Sequence, residues 1–196
     1  MKYSKLPADM FKNIQFNAGM IVTEFNLETG EAPENARLGA TSGGINFTAT
    51  PTFSDYGEDI DNCPKNMKEM KRLDSWETKL SGTFVSLNTT AGTMLCAAAD
   101  ASGGGIIPRS VLKSTDFKDL WVIGDYSEIN ADGTTGKAGF LAIKVLNALS
   151  TGGFQLQTGD KAKGQFAFEF TGHYSKEDPE KAPFEIHIKQ GTADAA

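Results

Sequence analysis

GQFAFEFTGHYS, Gly164 to Ser175, sets Phe166, Phe168, Phe170 and Tyr174 on one side of an extended chain and Gln165, Glu169, Thr171 and His173 on the other. A period of two describes a strand lying between a packed core and water, and it excludes an amphipathic helix. The same alternation recurs along the chain. Ile45, Phe47 and Phe53 alternate with Asn46, Thr48, Thr50, Thr52 and Ser54, and Trp76, Leu80 and Phe84 alternate with Glu77, Lys79, Ser81 and Thr83. Near the end, Phe184, Ile186 and Ile188 alternate with Glu185, His187 and Lys189. The reading is an all-β, antiparallel chain whose long strands bury one face and present Thr, Ser, Asn and Gln on the other.

The 196 residues fit one all-β domain with no linker, and a 39% apolar share with 13 Phe can build its core. A net charge of -6 argues against a nucleic-acid-binding surface, because phosphate binding needs clustered Lys and Arg. The opening MKYSKLPADMFKNIQF has no apolar signal core, and no uncharged run approaches the ~20 apolar residues of a membrane span. The expectation is therefore synthesis in the cytoplasm, no membrane, and free thiols at Cys63 and Cys96.

Along the chain, residues 1–18 carry Leu6, Met10, Phe11, Ile14 and Phe16 without a defined sheet partner and read as an arm or a short docking helix. Gly19 to Phe25 is the first strand, and Leu27 to Gly44 is a polar, Gly/Pro-punctuated loop leading into the next. A long connection, Asp55 to Asp74, then separates two strands. It is acidic at its start (Asp55, Glu58, Asp59, Asp61) and basic toward its end (Lys65, Lys68, Lys71, Arg72). Such a loop on a rigid sheet suits contact with another subunit, or else a solvated excursion with a helical turn at Asn66 to Met70.

After the strand Ser75 to Leu87, Thr89 or Thr90 caps a short Ala-rich helix containing Met94, Leu95, Ala97, Ala98 and Ala99. Asp100 and the Gly103 to Gly105 run end it. Asp119 to Ser127 and Lys137 to Leu149 are strands flanking a turn at Asn130 to Gly133. The second of these, with Leu141, Ile143 and Val145 alternating with Phe140, Ala142 and Leu146, is apolar on both faces. It is expected to be covered on both, one cover being the Ala-rich helix.

No catalytic constellation stands out, and neither a metal nor a cofactor is expected. His173 and His187 lie on polar strand faces at unrelated positions. DYGEDID lacks the ligand order of a calcium loop, and Gly103 to Gly105 lacks the strand and helix of a phosphate cradle.

The order of these features, with GATSGGINFTATPTFSDYGEDIDNCP, KRLDSWETKLSGTF, LNALSTGGFQLQTGDKAKGQFAFEFTGHYS and PFEIHIK, resembles the major tail tube protein of long-tailed bacteriophages, in the form carried by prophages of Gram-positive bacteria. The matching stretches run from Gly39 almost to Lys189. The resemblance implies a β-sandwich of two antiparallel sheets flanked by a helix, as an arm at 1–18, a domain at 19–190 and a tail at 191–196. It also implies six copies per ring, with inner sheets joined into a barrel and rings stacked into a virion tube.

Double-stranded DNA would then pass through without specific binding, and a tape-measure protein and tail-terminator or tail-tip proteins would be partners. Under this reading Glu77, Lys79, Ser81, Thr83, Gln165, Glu169, Thr171 and His173 face the lumen. Asp55, Glu58, Asp59, Asp61, Lys65, Lys68, Lys71 and Arg72, together with the arm, make contacts between subunits or rings. The inner tube of a contractile tail or injection machine shares the implied fold. A carbohydrate-binding β-sandwich is the alternative of another class, with Trp121 and Tyr126 as its sugar-stacking residues.

Overall fold

The structure, a computed structural model, describes residues 19–126 and 139–190. The arm, the Asn130 to Gly133 turn and the tail lie outside the described residues. Within them the fold is all-β with one short helix. The strands are β1 (Met20–Val22), β2 (Thr41–Asp55), β3 (Lys71–Phe84), β4 (Ala99–Ser102), β5 (Gly105–Pro108), β6 (Lys118–Asp125), β7 (Phe140–Ser150), β8 (Phe166–Thr171) and β9 (Phe184–Lys189). The helix α1 is Thr89–Leu95.

Two antiparallel sheets share one strand. Residues Phe140 to Val145 of β7 run between β6 and β9, with β1 beyond β6. The far end of the same strand, Leu149 and Ser150, pairs instead with β8, which continues to β3 and β2. The strand changes sheet at Asn147, whose φ of 47° is a left-handed conformation that Asn adopts more readily than most residues. The corner is stitched from both sides. The Asn147 N–H donates to Asp119 Oδ1 at 3.0 Å, and its Nδ2 donates to the His173 carbonyl at 3.1 Å.

The main core lies between the sheets. Phe168 and Phe170 of β8, Leu80 and Phe84 of β3, and Leu120 and Val145 of the other sheet meet there with Ala91, Met94 and Leu95 of α1. Each fully buried side chain of this size contributes on the order of 1.5–3 kcal/mol. Helix α1 therefore covers one face of β7, through Ala91, Met94 and Leu95 and not through Ala97 to Ala99, which lie beyond its end. The other face carries a second cluster, Val22, Ala36, Trp121, Ile123, Phe140 and Ala142, packed under Met20, Phe25, Leu27 and Ala32. The segment that reads as a polar loop thus supplies the second cover, and Phe140 lies in this cluster apart from Phe168.

Several boundaries differ from the sequence reading. Strand β1 is only three residues long. The helix starts earlier, capped by Asn88 Oδ1 accepting from the Ala91 N–H at 2.7 Å, and it stops at Cys96 because Ala97 takes φ 59°. Gly103 and Gly104 do not end the helix. They form the two-residue turn of a β4–β5 hairpin, both with positive φ, as such turns require. Arg109 fastens this hairpin to the chain that follows. Its guanidinium lies 2.9 Å from Asp100 Oδ2 and 2.5 Å from Asp116 Oδ1, and it donates to the Val111 carbonyl at 2.7 Å. The Lys113 N–H, with Arg109, holds the Asp116 carboxyl below its ordinary range. Strands β2 and β3 also reach further than their apolar pattern, so the connecting loop narrows to Tyr56 through Met70, with a 3-10 turn at Lys68–Met70.

Candidate functional site: the polar face and open edge of the β2–β3–β8 sheet

Cross-strand pairing decides which polar residues share a face. Thr50 stands opposite Glu77, Thr48 opposite Lys79, and Asn46 opposite Ser81. On the other side of β3, Thr171 stands opposite Lys79 and Glu169 opposite Ser81, while Thr83 faces Ala167. Glu77, Lys79, Ser81, Thr83, Glu169 and Thr171 therefore lie on one continuous surface with the Thr/Asn row of β2, turned away from the main core. Gln165 stands just before β8 and pairs its backbone with Gln157 at 2.8 and 2.9 Å.

The charges on this face are largely spent on one another. Lys79 Nζ lies 2.6 Å from Glu77 Oε1, and this hydrogen-bonded partner, helped by Glu169, raises the lysine above its ordinary pKa. Thr151 Oγ1 donates to Glu169 Oε1 at 3.0 Å and lies 2.9 Å from Thr171 Oγ1. With two carboxylates against one ammonium, the face keeps a small negative excess.

His173 leaves the row. Strand β8 ends at Thr171, and Gly172 carries the chain where a Cβ would stand 2.9 Å from the Pro183 carbonyl oxygen. The His173 ring turns to the sheet corner, its Nδ1 3.1 Å from the Asn147 carbonyl and its plane edge-on to Phe117 at 5.3 Å. Tyr174 likewise leaves the aromatic row, and its hydroxyl accepts from the Trp76 N–H at 2.7 Å. Gly172 is the residue in the sequence that marks this break in the alternation.

The face ends at an edge. Among the described residues, no strand pairs with the outer side of β2, which runs for 15 residues. Near its start, Ser42 to Gly44 bulge opposite Thr83, with Gly43 and Gly44 at φ 80° and 86°. Pro51, which has no N–H to give, is compatible with an edge position.

Beyond the sandwich, Lys71 to Ser75 pair only with β2, and this two-stranded ribbon carries the charged loop at its tip. Asp55 organises the tip. Its carboxylate accepts from the Gly57 and Asn66 N–H groups, each at 2.9 Å, and these bonds hold its pKa below the usual carboxylate range. Lys71 donates to Asn66 Oδ1 at 3.0 Å and lies over the Phe53 ring. Asp55 and Lys71 thus serve the ribbon itself, whereas Glu58, Asp59, Asp61, Lys65, Lys68 and Arg72 are exposed. Phe53 and Leu73, paired across the ribbon on its apolar side, are 51% and 45% exposed, an apolar surface that the charge pattern did not announce.

No family model matches this chain, and no curated protein matches it.

Elsewhere the described residues offer little chemistry. They contain no group of three His, Cys, Asp or Glu placed to hold a metal, and no helix long and apolar enough to cross a membrane. Cys63 and Cys96 are free thiols. Trp121 and Tyr126 are buried, so the aromatic platform of a carbohydrate-binding surface is missing at the two positions that suggested it. Trp121 lies instead beneath the His187 ring and Lys144, in a surface network where Lys144 pairs with Asp119 at 2.9 Å and Glu185 bridges Lys181 and His187.

Proposed function

We propose that this chain is a structural virion protein, the tube subunit of a long-tailed phage or prophage, which self-assembles into stacked hexameric rings that conduct DNA. One observation carries the reading: a continuous polar sheet face ends at a 15-residue edge strand that no strand of the described chain completes. An edge of that length is a template for another chain, and a monomer that keeps it open is suited to cyclic pairing with its own copies. The ring number comes from the resemblance.

The face fits a conduit. Hydroxyl and amide groups give a wetted wall, the one lysine is paired with Glu77, and the residual negative charge opposes phosphate adhesion. Ring stacking falls to the ribbon, whose tip joins exposed acidic and basic groups to Phe53 and Leu73. A tape-measure protein and terminator or tip proteins complete the partner set, and assembly begins in the bacterial cytoplasm. The test is negative-stain electron microscopy of the purified chain over a range of concentrations. Rings or tubes of uniform diameter are the expected result, and a monodisperse monomer at every concentration overturns the proposal.

A further inference from the structure

The sheet formed by β1, β6, β7 and β9 presents three apolar rows to the sandwich interior. The first, Leu120, Val145 and Phe184, is closed: Leu120 and Val145 are fully buried, and Phe184 meets the rings of Phe47 and Trp76 at 5.8 and 5.2 Å. The second row, Val122, Ile143 and Ile186, is covered only at its Val122 end, near Ile45. Ile186 is 52% exposed. In the third row Leu141 stands beside Ile188, which is 64% exposed. The core therefore runs out from under its cover toward one end of this sheet.

The chain enters the described structure at that end. Gly19 precedes β1 with φ 80°, a conformation that turns the backbone off the line of the strand. A Cβ at Gly19 would lie 3.6 Å from Ile45 Cδ1 and 3.8 Å from Val122 Cγ1, so Gly19 borders the face that bears these rows. Residues 1–18, outside the described residues, carry Leu6, Met10, Phe11, Ile14 and Phe16. Crossing from β1 to β9 takes three strand spacings, ~14 Å, which about five extended residues cover.

We infer that residues 1–18 of the same chain seat their apolar side chains over the exposed Ile186 end of the second row and over Ile188 beside Leu141 in the third. Tethering decides the occupant, because a segment attached next to its own patch acts there at an effective concentration near millimolar, above that of a second copy in dilute solution. The segment read from sequence as reaching a neighbour instead completes its own sheet, and the ribbon is left as the element that reaches outward. The inference concerns the isolated chain and holds whether or not that chain forms tubes.

The experiment places the photoreactive residue p-benzoylphenylalanine at position 188 of the full chain, or at 186 in a second variant. Both positions are solvent-exposed enough to accept it. Each variant is unlabelled, mixed with an equal amount of 15N-labelled chain lacking the probe, irradiated and digested for mass spectrometry. Cross-links to unlabelled peptides from residues 1–18 are expected, roughly tenfold above those to their 15N counterparts. A probe at Thr48, on the opposite polar surface, is the reference and should give none. Equal capture of labelled and unlabelled peptides would assign the patch to a second copy. Absence of such peptides at both 188 and 186 would overturn the seat altogether.

Discussion

Strand β3 meets two fates along its length. From Lys79 to Phe84 it is flanked by β2 and β8, and its alternate side chains Leu80 and Phe84 are fully buried. From Lys71 to Ser75 it has β2 alone, and Leu73, with its partner Phe53, is about half exposed. The local pattern is similar in both halves. Alternation tells which way a side chain points, while the third strand and the opposite sheet decide whether anything meets it. One half of the strand supports the fold, and the other leaves its apolar side in solvent.

The sharpest break of this contrast is Phe168→Ala. Its ring packs on Phe84 at 4.4 Å in the flanked half, and its removal is expected to cost about 3–5 kcal/mol in denaturant titration. A loss under about 1 kcal/mol would mean that the flanked half is no better packed than the ribbon. Gly82→Ala probes the same half from the opposite direction. A Cβ there would stand 2.7 Å from Phe168 Cζ and 3.1 Å from the Gly44 carbonyl oxygen, so the cross-strand aromatic sits in the space that glycine leaves. Overpacking should cost ~1–3 kcal/mol, and an unchanged midpoint would show that the ring can swing aside.

The smallest stability effect belongs to the ribbon: Leu73→Ala should shift stability by less than about 1 kcal/mol. Under the proposed tube function, sedimentation should nevertheless show tubes or rings impaired, because that reading assigns ring stacking to the surface that includes Leu73. Wild-type pelleting by this variant would remove the ribbon's apolar side from the assembly contact.

How much was legible follows the same division. The faces of β3 and β8 could be read directly, because Phe166, Phe168 and Phe170 alternate with polar residues and both neighbours obey the pattern. Of the residues read as one polar row, Glu77, Lys79, Ser81, Thr83, Glu169 and Thr171 share a face, while Gln165 stands before β8 and His173 is diverted by Gly172 after β8 ends. The β4–β5 hairpin was hidden inside an Ala-rich run whose helix propensity is real. It is overruled by Ala97 in the left-handed region and by Arg109 reaching Asp100 and Asp116. The second cover of β7 was hidden in a segment of polar composition, where Phe25, Leu27, Ala32 and Ala36 are too widely spaced to show a period. Ile186 and Ile188 have the alternation of core residues and the exposure of surface ones. No local pattern could separate the two, because the difference lies in how far the opposite sheet extends.

The bend at Asn147 has a mechanical consequence. Because β7 is hydrogen-bonded first between β6 and β9 and then to β8, a load applied to either sheet reaches the other through covalent backbone rather than through side-chain packing alone. Neither sheet can peel away while its fellow stays intact, since each would have to surrender the strand they hold in common. The two sheets are thereby coupled to yield together rather than one after the other.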